Sequence, residues 1–366
     1  MRPFCVPALL ATALCSIALC SPAQLWAQEA PSPDAPPVST APDTSNLDQQ
    51  PPTTTLKVNV NLVSLFFTAR DKRGALIPNL TQNECQVFED KQLQKVKNFS
   101  PETDLPLTLG IMLDTSGSQQ NVLQMEQQTG DSFVKRILRD KDQAFLISFD
   151  VQVSLLQDFT SNPRLIAKAM DQAEINTAGG NGSAGIPGIG QGPMPTQGAP
   201  KGTLLYDAVY QVSNDKLRSE TGRKALIILT DGEDEGSREK LADAVEAAQK
   251  ANAIIYVLLI ADRGFYSGGG MINLGGFTGD SAMRKMAEDT GGRMIDVGNN
   301  GKKMEAAFAQ IEEELRTQYL ASYTPTNTRL DGSYRKVDVF CKHNNENLKI
   351  QARKGYYAIA PDDSGQ

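Results

Sequence analysis

Residues 105–118 read LPLTLGIMLDTSGS, and the fold turns on them. LTLGIML is a continuous apolar run with no polar alternation. A strand buried on both faces of a parallel sheet reads this way. The run stops at Asp114-Thr115-Ser116-Gly117-Ser118. In an open α/β sheet, ligands bind beyond the carboxyl ends of strands, at the point where the strand order reverses. An acid and two hydroxyls at alternate positions can converge in a tight turn there, with Gly117 permitting the bend.

Working outward, the same kind of strand recurs as ALIILT (225–230) and AIIYVLLIA (253–261). AFLISF and QVSLLQDF form a strand pair that implies one antiparallel edge. Between them lie helical spacings over 120–139, 163–173, 204–217, 237–251, 281–290 and 302–317. Ser237 is a candidate N-cap for the helix that follows it. Repeated alternation of strand and helix predicts a three-layer α/β sandwich with a mainly parallel central sheet and one antiparallel edge strand. Two Gly-rich stretches, 177–202 and 264–280, interrupt the pattern as long loops.

Two more oxygen donors stand in places comparable to the DTSGS turn. Thr203 opens the helix TLLYDAVYQV, and Asp231 follows the strand ALIILT. Asp114, Ser116, Ser118, Thr203 and Asp231 make a hard-ligand set suited to Mg2+, Mn2+ or Ca2+. Two carboxylates balance a dication, three neutral hydroxyls leave it electrophilic, and an incoming carboxylate can complete its shell. Glu233, Asp234 and Glu235 read as a solvated acidic turn beside this set.

Composition removes other chemistries. One histidine, His343, excludes HExxH zinc sites and argues against a Ser–His–Asp triad. Five cysteines without a CxxC pair exclude zinc ribbons and thioredoxin-type redox sites. A formal net charge of -7 argues against a nucleic-acid partner. Asp289-Thr290-Gly291 matches a triplet of aspartic proteases, but it sits at a helix end in an α/β pattern, without a side-by-side partner.

With these residues in place, the chain resembles the von Willebrand factor type A domain. DxSxS appears as Asp114, Ser116 and Ser118, the following Thr as Thr203 in GTLLYDAV, and the distal Asp as Asp231 in ALIILTDGED. The resemblance implies a metal-ion-dependent adhesion site in which a divalent cation, Mg2+ foremost, bridges to an Asp or Glu carboxylate of a protein ligand. It also implies that the last helix, 302–317, shifts on ligand binding. The flanks VNVNLVSLFFTARDKRGALIPNLTQNECQVFEDKQLQKVKNFS and YLASYTPTNTRLDGSYRKVDVFCK look like exported type A-related proteins of acidobacteria.

Those flanks carry β signals. Residues 57–103 and 319–360 are expected to form the two parts of one discontinuous β domain around the type A-like domain at 104–318, with a short tail at 361–366. Residues 1–27 have the basic start, apolar middle and small-residue cleavage region of a signal peptide. Residues 28–56, rich in Pro, Ser and Thr, read as a disordered linker. The expected protein is exported, to periplasm, cell surface or medium, without a transmembrane span in its mature chain. Only Cys85 and Cys341 survive cleavage. Both lie on apolar strand faces, and they are a candidate disulfide, with two buried free thiols as the alternative. The expected role is a non-enzymatic binding module. A structural envelope protein with a stabilising metal, or a metal-assisted hydrolase with Asp114 as nucleophile, are the alternatives.

Overall fold

Alternating flanks and continuous apolar runs in the middle give two kinds of sheet. A computed structural model of the chain describes residues 62–102, 105–176, 202–260 and 278–359. The expected signal peptide, linker and C-terminal tail lie outside the described residues, as do most of the two Gly-rich loops. The described residues all fall within one compact unit, Val58–Gln366.

The N-terminal flank forms β1 (Val63–Arg70), β2 (Cys85–Glu89), β3 (Gln92–Gln94) and β4 (Val96–Pro101). The middle forms β5 (Leu107–Asp114), α1 (Leu123–Ile137), β6 (Gln143–Phe149), β7 (Val153–Thr160), α2 (Pro163–Asp171), α3 (Leu205–Val212), β8 (Arg223–Thr230), α4 (Leu241–Lys250), β9 (Ala253–Leu259), α5 (Thr278–Thr290), β10 (Met294–Asp296) and α6 (Gly301–Arg316). The C-terminal flank adds β11 (Tyr319–Tyr323), β12 (Tyr334–His343), β13 (Glu346–Asn347), β14 (Lys349–Ala352) and β15 (Gly355–Tyr357).

The central sheet runs β10-β9-β8-β5-β6-β7. All neighbours in it are parallel except β6 and β7, which pair antiparallel at the edge. The mainly parallel sandwich with one antiparallel edge strand is therefore present. Successive strand residues serve opposite faces. Leu109, Ile111 and Leu113 of β5 join Phe133, Met170 and Phe308 in one core, beneath α1, α2 and α6. Met112, with Phe145 and Leu226 of the neighbouring strands, packs with Val209, Ala248 and Met286 from α3, α4 and α5. Gly110 lies between Phe145 and Leu226, where a Cβ would collide with the ring of the first and a methyl of the second. Two covered faces explain why the runs carry no alternation.

The flanks pair with each other. One antiparallel sheet runs β14-β1-β11-β4, and a second runs β13-β12-β2-β3 with β15 on β12. Leu65, Phe67, Val87, Tyr319, Tyr323 and Val337 share their core. Cys85 stands opposite Cys341 in the β2–β12 register, and the two are joined by a disulfide with Cα atoms 4.1 Å apart.

One stretch of the flank divides between the sheets, and one expected cap is absent. KQLQKVKNFS forms two strands. Gln92–Gln94 pairs with β2, whereas Val96–Pro101 pairs with β11 in the other sheet. The apolar positions Leu93 and Val96 are three apart, which breaks the period of two, so the chain changes sheet at Lys95. Leu93 is accordingly exposed. Ser237 does not cap a helix: α4 begins at Leu241, with the Asp243 carboxylate accepting from Lys240 N at 3.0 Å. Ser237 is drawn instead to α3, where its Oγ accepts from Asp207 N at 3.1 Å.

Candidate metal centre

The chain builds β5, β6 and β7 on one side, then returns to place β8 on the other side of β5. The strand order thus reverses between β5 and β8, and their carboxyl ends open side by side. Asp114 is the last residue of β5, and Asp231 follows the last residue of β8. Both are buried, Asp114 completely.

A short relay of oxygens leads away from Asp114. Its Oδ1 accepts from Ser116 N at 3.0 Å and from Ser116 Oγ at 2.6 Å. Ser116 Oγ lies 3.1 Å from Ser118 Oγ. Asp114 Oδ2 accepts from Thr230 Oγ1 at 2.7 Å, and Thr230 Oγ1 in turn accepts from Gly232 N at 3.0 Å. Gly232 takes a positive φ of 86°, which turns the chain just beyond Asp231. The turn after Ser116 is a single 3-10 turn, Gly117–Gln119, ahead of α1.

Thr203 reaches this end of the sheet through the backbone. It pairs with Glu235 in an isolated bridge, at 2.9 and 3.0 Å. On its other side, Leu204 N donates to Asp150 O at 2.8 Å. Asp150, just past β6, accepts from Thr115 Oγ1 at 2.7 Å and from Asn176 Nδ2 at 3.0 Å. Asp234 accepts from Tyr206 N at 3.0 Å and from Ser237 Oγ at 2.6 Å. The three loops are therefore laced to one another. Hydrogen bonds bring Asp114, Ser116 and Ser118 together, Asp231 acts on Asp114 through its charge, and Thr203 is tied to the loops on either side.

The electrostatics are those of a site with excess negative charge. Burial, then the neighbouring Asp231 carboxylate, push the Asp114 carboxyl up to about 7, against the opposing hydrogen bonds from Ser116 and Thr230. Glu233 is pushed up too, by burial and then by Asp231 and Glu235.

Sequence reading missed Glu126, in the first turn of α1. Its side chain is completely buried, and neither carboxylate oxygen has a hydrogen-bond partner. Burial, then Asp114, then Asp231 hold its carboxyl well above the ordinary range. The positive end of α1 offers it at most about 2 kcal/mol. An unpaired buried carboxylate costs several kcal/mol, so the helix does not compensate it. Gln119, also buried, has both side-chain atoms without a partner. Asp150, Thr230 and Asp234 were missed as well. For Asp150 a signal existed: it ends AFLISFD as Asp114 ends LTLGIMLD.

A divalent cation fits these residues. The donors are carboxylate and hydroxyl oxygens, which suit hard ions, and the buried Glu126 carboxyl has no hydrogen-bond partner in the protein. Among the described residues, no group of three His, Cys, Asp or Glu has metal-ligand geometry, so hydroxyls are needed to complete a shell.

No family model matches the chain, and no curated protein does. Solved structures are similar to it at low identity. Proximal thread matrix protein 1 from the mussel byssus is 15% identical, with a TM-score of 0.43 over 62% of this chain and 51% of that one. This chain thus spans about half the length of the mussel protein, a second structure of which has a zinc-occupied MIDAS motif. BatB from Bacteroides thetaiotaomicron is 18% identical, with a TM-score of 0.39 over 57% of this chain and 99% of that one. The von Willebrand factor domain of the pilus tip protein Mfa5 from Porphyromonas gingivalis is 12% identical, with a TM-score of 0.40 over 58% and 95%.

Proposed function

We propose that the chain is an exported protein-binding module that holds one divalent cation, Mg2+ or a similar hard ion, at Asp114, Ser116, Ser118, Thr203 and Asp231. The observation that carries this is the hydrogen-bonded Asp114–Ser116–Ser118 relay, which runs from the buried Asp114 beside Asp231 to the half-buried Ser118 at the strand-order reversal. A bound dication supplies the positive charge that draws in a carboxylate from a protein ligand. The protein's part is to fix the oxygens. Ser116 holds Asp114 Oδ1, Thr230 holds Asp114 Oδ2, and the Thr203–Glu235 bridge fixes the third loop.

A binding role fits better than hydrolysis with Asp114 as nucleophile. Both Asp114 oxygens are already engaged by hydrogen-bond donors, and the carboxyl is buried rather than presented to a substrate. No described helix is long and apolar enough to cross a membrane. With the signal-peptide pattern at 1–27, this supports placement in the periplasm, at the surface or in the medium.

The test is capture from envelope extract on immobilised protein, with Mg2+ or with EDTA, using wild type and Asp114→Ala. The proposal expects an acidic protein retained by wild type with Mg2+ and released by EDTA. Equal retention by Asp114→Ala contradicts it.

A further inference from the structure

An open groove of about 390 Å3 lies on the flanking unit, between the turn Gln82–Glu84 and the β12–β13 hairpin. That volume falls in the range of small-ligand sites, about 300–1,000 Å3. Its floor is the outward face of β2 and β12. Gln86 stands opposite Phe340 in their register, and Lys342 follows two residues on, on the same face. The Cys85–Cys341 disulfide joins the same two strands on the inward face and fixes this floor. At one end Glu84 accepts from Thr81 N and Oγ1, at 2.8 and 2.9 Å, and pairs with His343 Nδ1 at 2.8 Å. That carboxylate ties the turn to the hairpin. At the hairpin tip Asn344 and Asn345 both take positive φ, 50° and 63°, as a tight two-residue turn requires. The groove is therefore held in shape before anything binds it.

Phe340 is the only apolar residue lining the groove, and it is 60% exposed. Phe88 steadies it, with the rings at 78° and their centroids 5.7 Å apart, but does not cover it. Among the described residues, the side chains of Asn83, Gln86, Asn344, Asn345 and Lys342 have no hydrogen-bond or ion-pair partner. An apolar ligand does not match such a lining. A nucleic acid wants a basic groove, and this one offers a single ammonium beside Glu84. A pyranose ring matches. Its C–H face suits the negative face of an aromatic ring, and its hydroxyls donate and accept, as amides do. Glu84 has both oxygens engaged, which leaves the Lys342 ammonium as the free charge. Independently of the metal reading, we propose that this groove binds an acidic saccharide, a chain containing uronic acid. The sugar ring lies on Phe340, its carboxylate meets Lys342, and its hydroxyls meet the four amides.

The test is calorimetric titration of hexagalacturonate, and of neutral maltohexaose, into the full chain with EDTA present throughout. EDTA removes binding bridged by a cation and keeps the metal centre out of the measurement. The expected result is saturable binding of hexagalacturonate by wild type, with maltohexaose about tenfold weaker or more. Phe340→Ala and Lys342→Gln should each weaken hexagalacturonate about tenfold or more. Their thermal midpoints should stay at the wild-type value, because both side chains are exposed. Leu93→Ser, on the same sheet face but outside the groove, should bind as wild type does. Absence of saturable binding by wild type overturns the proposal. So does wild-type affinity in a folded Phe340→Ala or Lys342→Gln protein, or an equal loss in Leu93→Ser, which would make the contact a general apolar one. Equal affinity for the two oligosaccharides overturns the acidic class of ligand.

Discussion

Two sets of buried carboxylates in this molecule are treated in opposite ways. Glu314 on α6 is completely buried and fully partnered. Arg70 of β1 donates to it at 2.6 Å, Arg293 pairs with it, and Gln351 of β14 donates at 3.0 Å. Glu89 of β2 accepts from the hydroxyls of Tyr323 and Tyr356, each at 2.9 Å, and from Arg335 at 3.3 Å. These acids tie the flanking sheets to the sandwich and to each other. At the other set, Asp114 meets only hydroxyls and one amide, and Glu126 meets nothing. Buried charge with its partner built in serves the fold. The Glu126 carboxyl has no such partner in the protein.

The comparison predicts which changes damage stability and which damage metal binding. The largest stability effect should come from the flanking unit's covalent link. The Cys85–Cys341 disulfide joins residues 256 apart in sequence. By the chain-entropy model its loss costs roughly 5 kcal/mol as an upper figure. Cys341→Ser should lower the urea midpoint accordingly and leave Mn2+ affinity unchanged. A loss of metal affinity in that variant would break the separation between the two regions.

Glu314→Gln comes next. It strands Arg70 and Arg293, and removing one partner of a buried pair costs about 3–5 kcal/mol, with the lower end expected because both arginines are partly exposed. Thermal unfolding should show the drop, again with metal binding intact. A stability change within about 0.5 kcal/mol, the ordinary range of surface substitutions, would show that the ion pairs are not what couples α6 to the flanking sheets.

The last effect is a slope. The Asp114 carboxyl is raised in the folded protein to about 7, from about 3.9 in an unfolded chain. A raised acid binds its proton more tightly when folded, so its contribution is fully present below the unfolded value. It is lost as pH rises through the folded one. Metal-free protein should therefore lose this part of its stability between about pH 4 and pH 7. Paired carboxylates such as Glu89 lie elsewhere and are common to all variants, so the difference between wild type and Asp114→Asn isolates the slope. Parallel pH profiles for the two proteins would contradict the electrostatic account.

Much of this was legible in the residues, for physical reasons. Strands covered on both faces cannot alternate, so LTLGIML, ALIILT and AIIYVLLI announced a parallel sheet, and their carboxyl ends located DTSGS and Asp231 together. The flanks alternate, and their pairing followed from having too few strands on either side. Other features were hidden because they depend on tertiary contacts. Glu126 in LQMEQQTG looks like any acid in a first helical turn, where the helix dipole favours it. Only its burial gives it away. Asp234 looked solvated in a run of acids, yet it holds the start of α3. Ser237 had the chemistry of an N-cap but was bound by Asp207 and Asp234 across the loop.

The central claim, made as a proposal above, is that the carboxylates at the ends of β5 and β8 hold a divalent cation. Calorimetric titration of MnCl2 into the full chain, wild type against Asp114→Ala, tests it most directly, with circular dichroism as the check on folding. The account predicts one ion bound per wild-type chain and no binding by a folded Asp114→Ala protein. Unchanged affinity in that variant, or no binding by wild type, would contradict it.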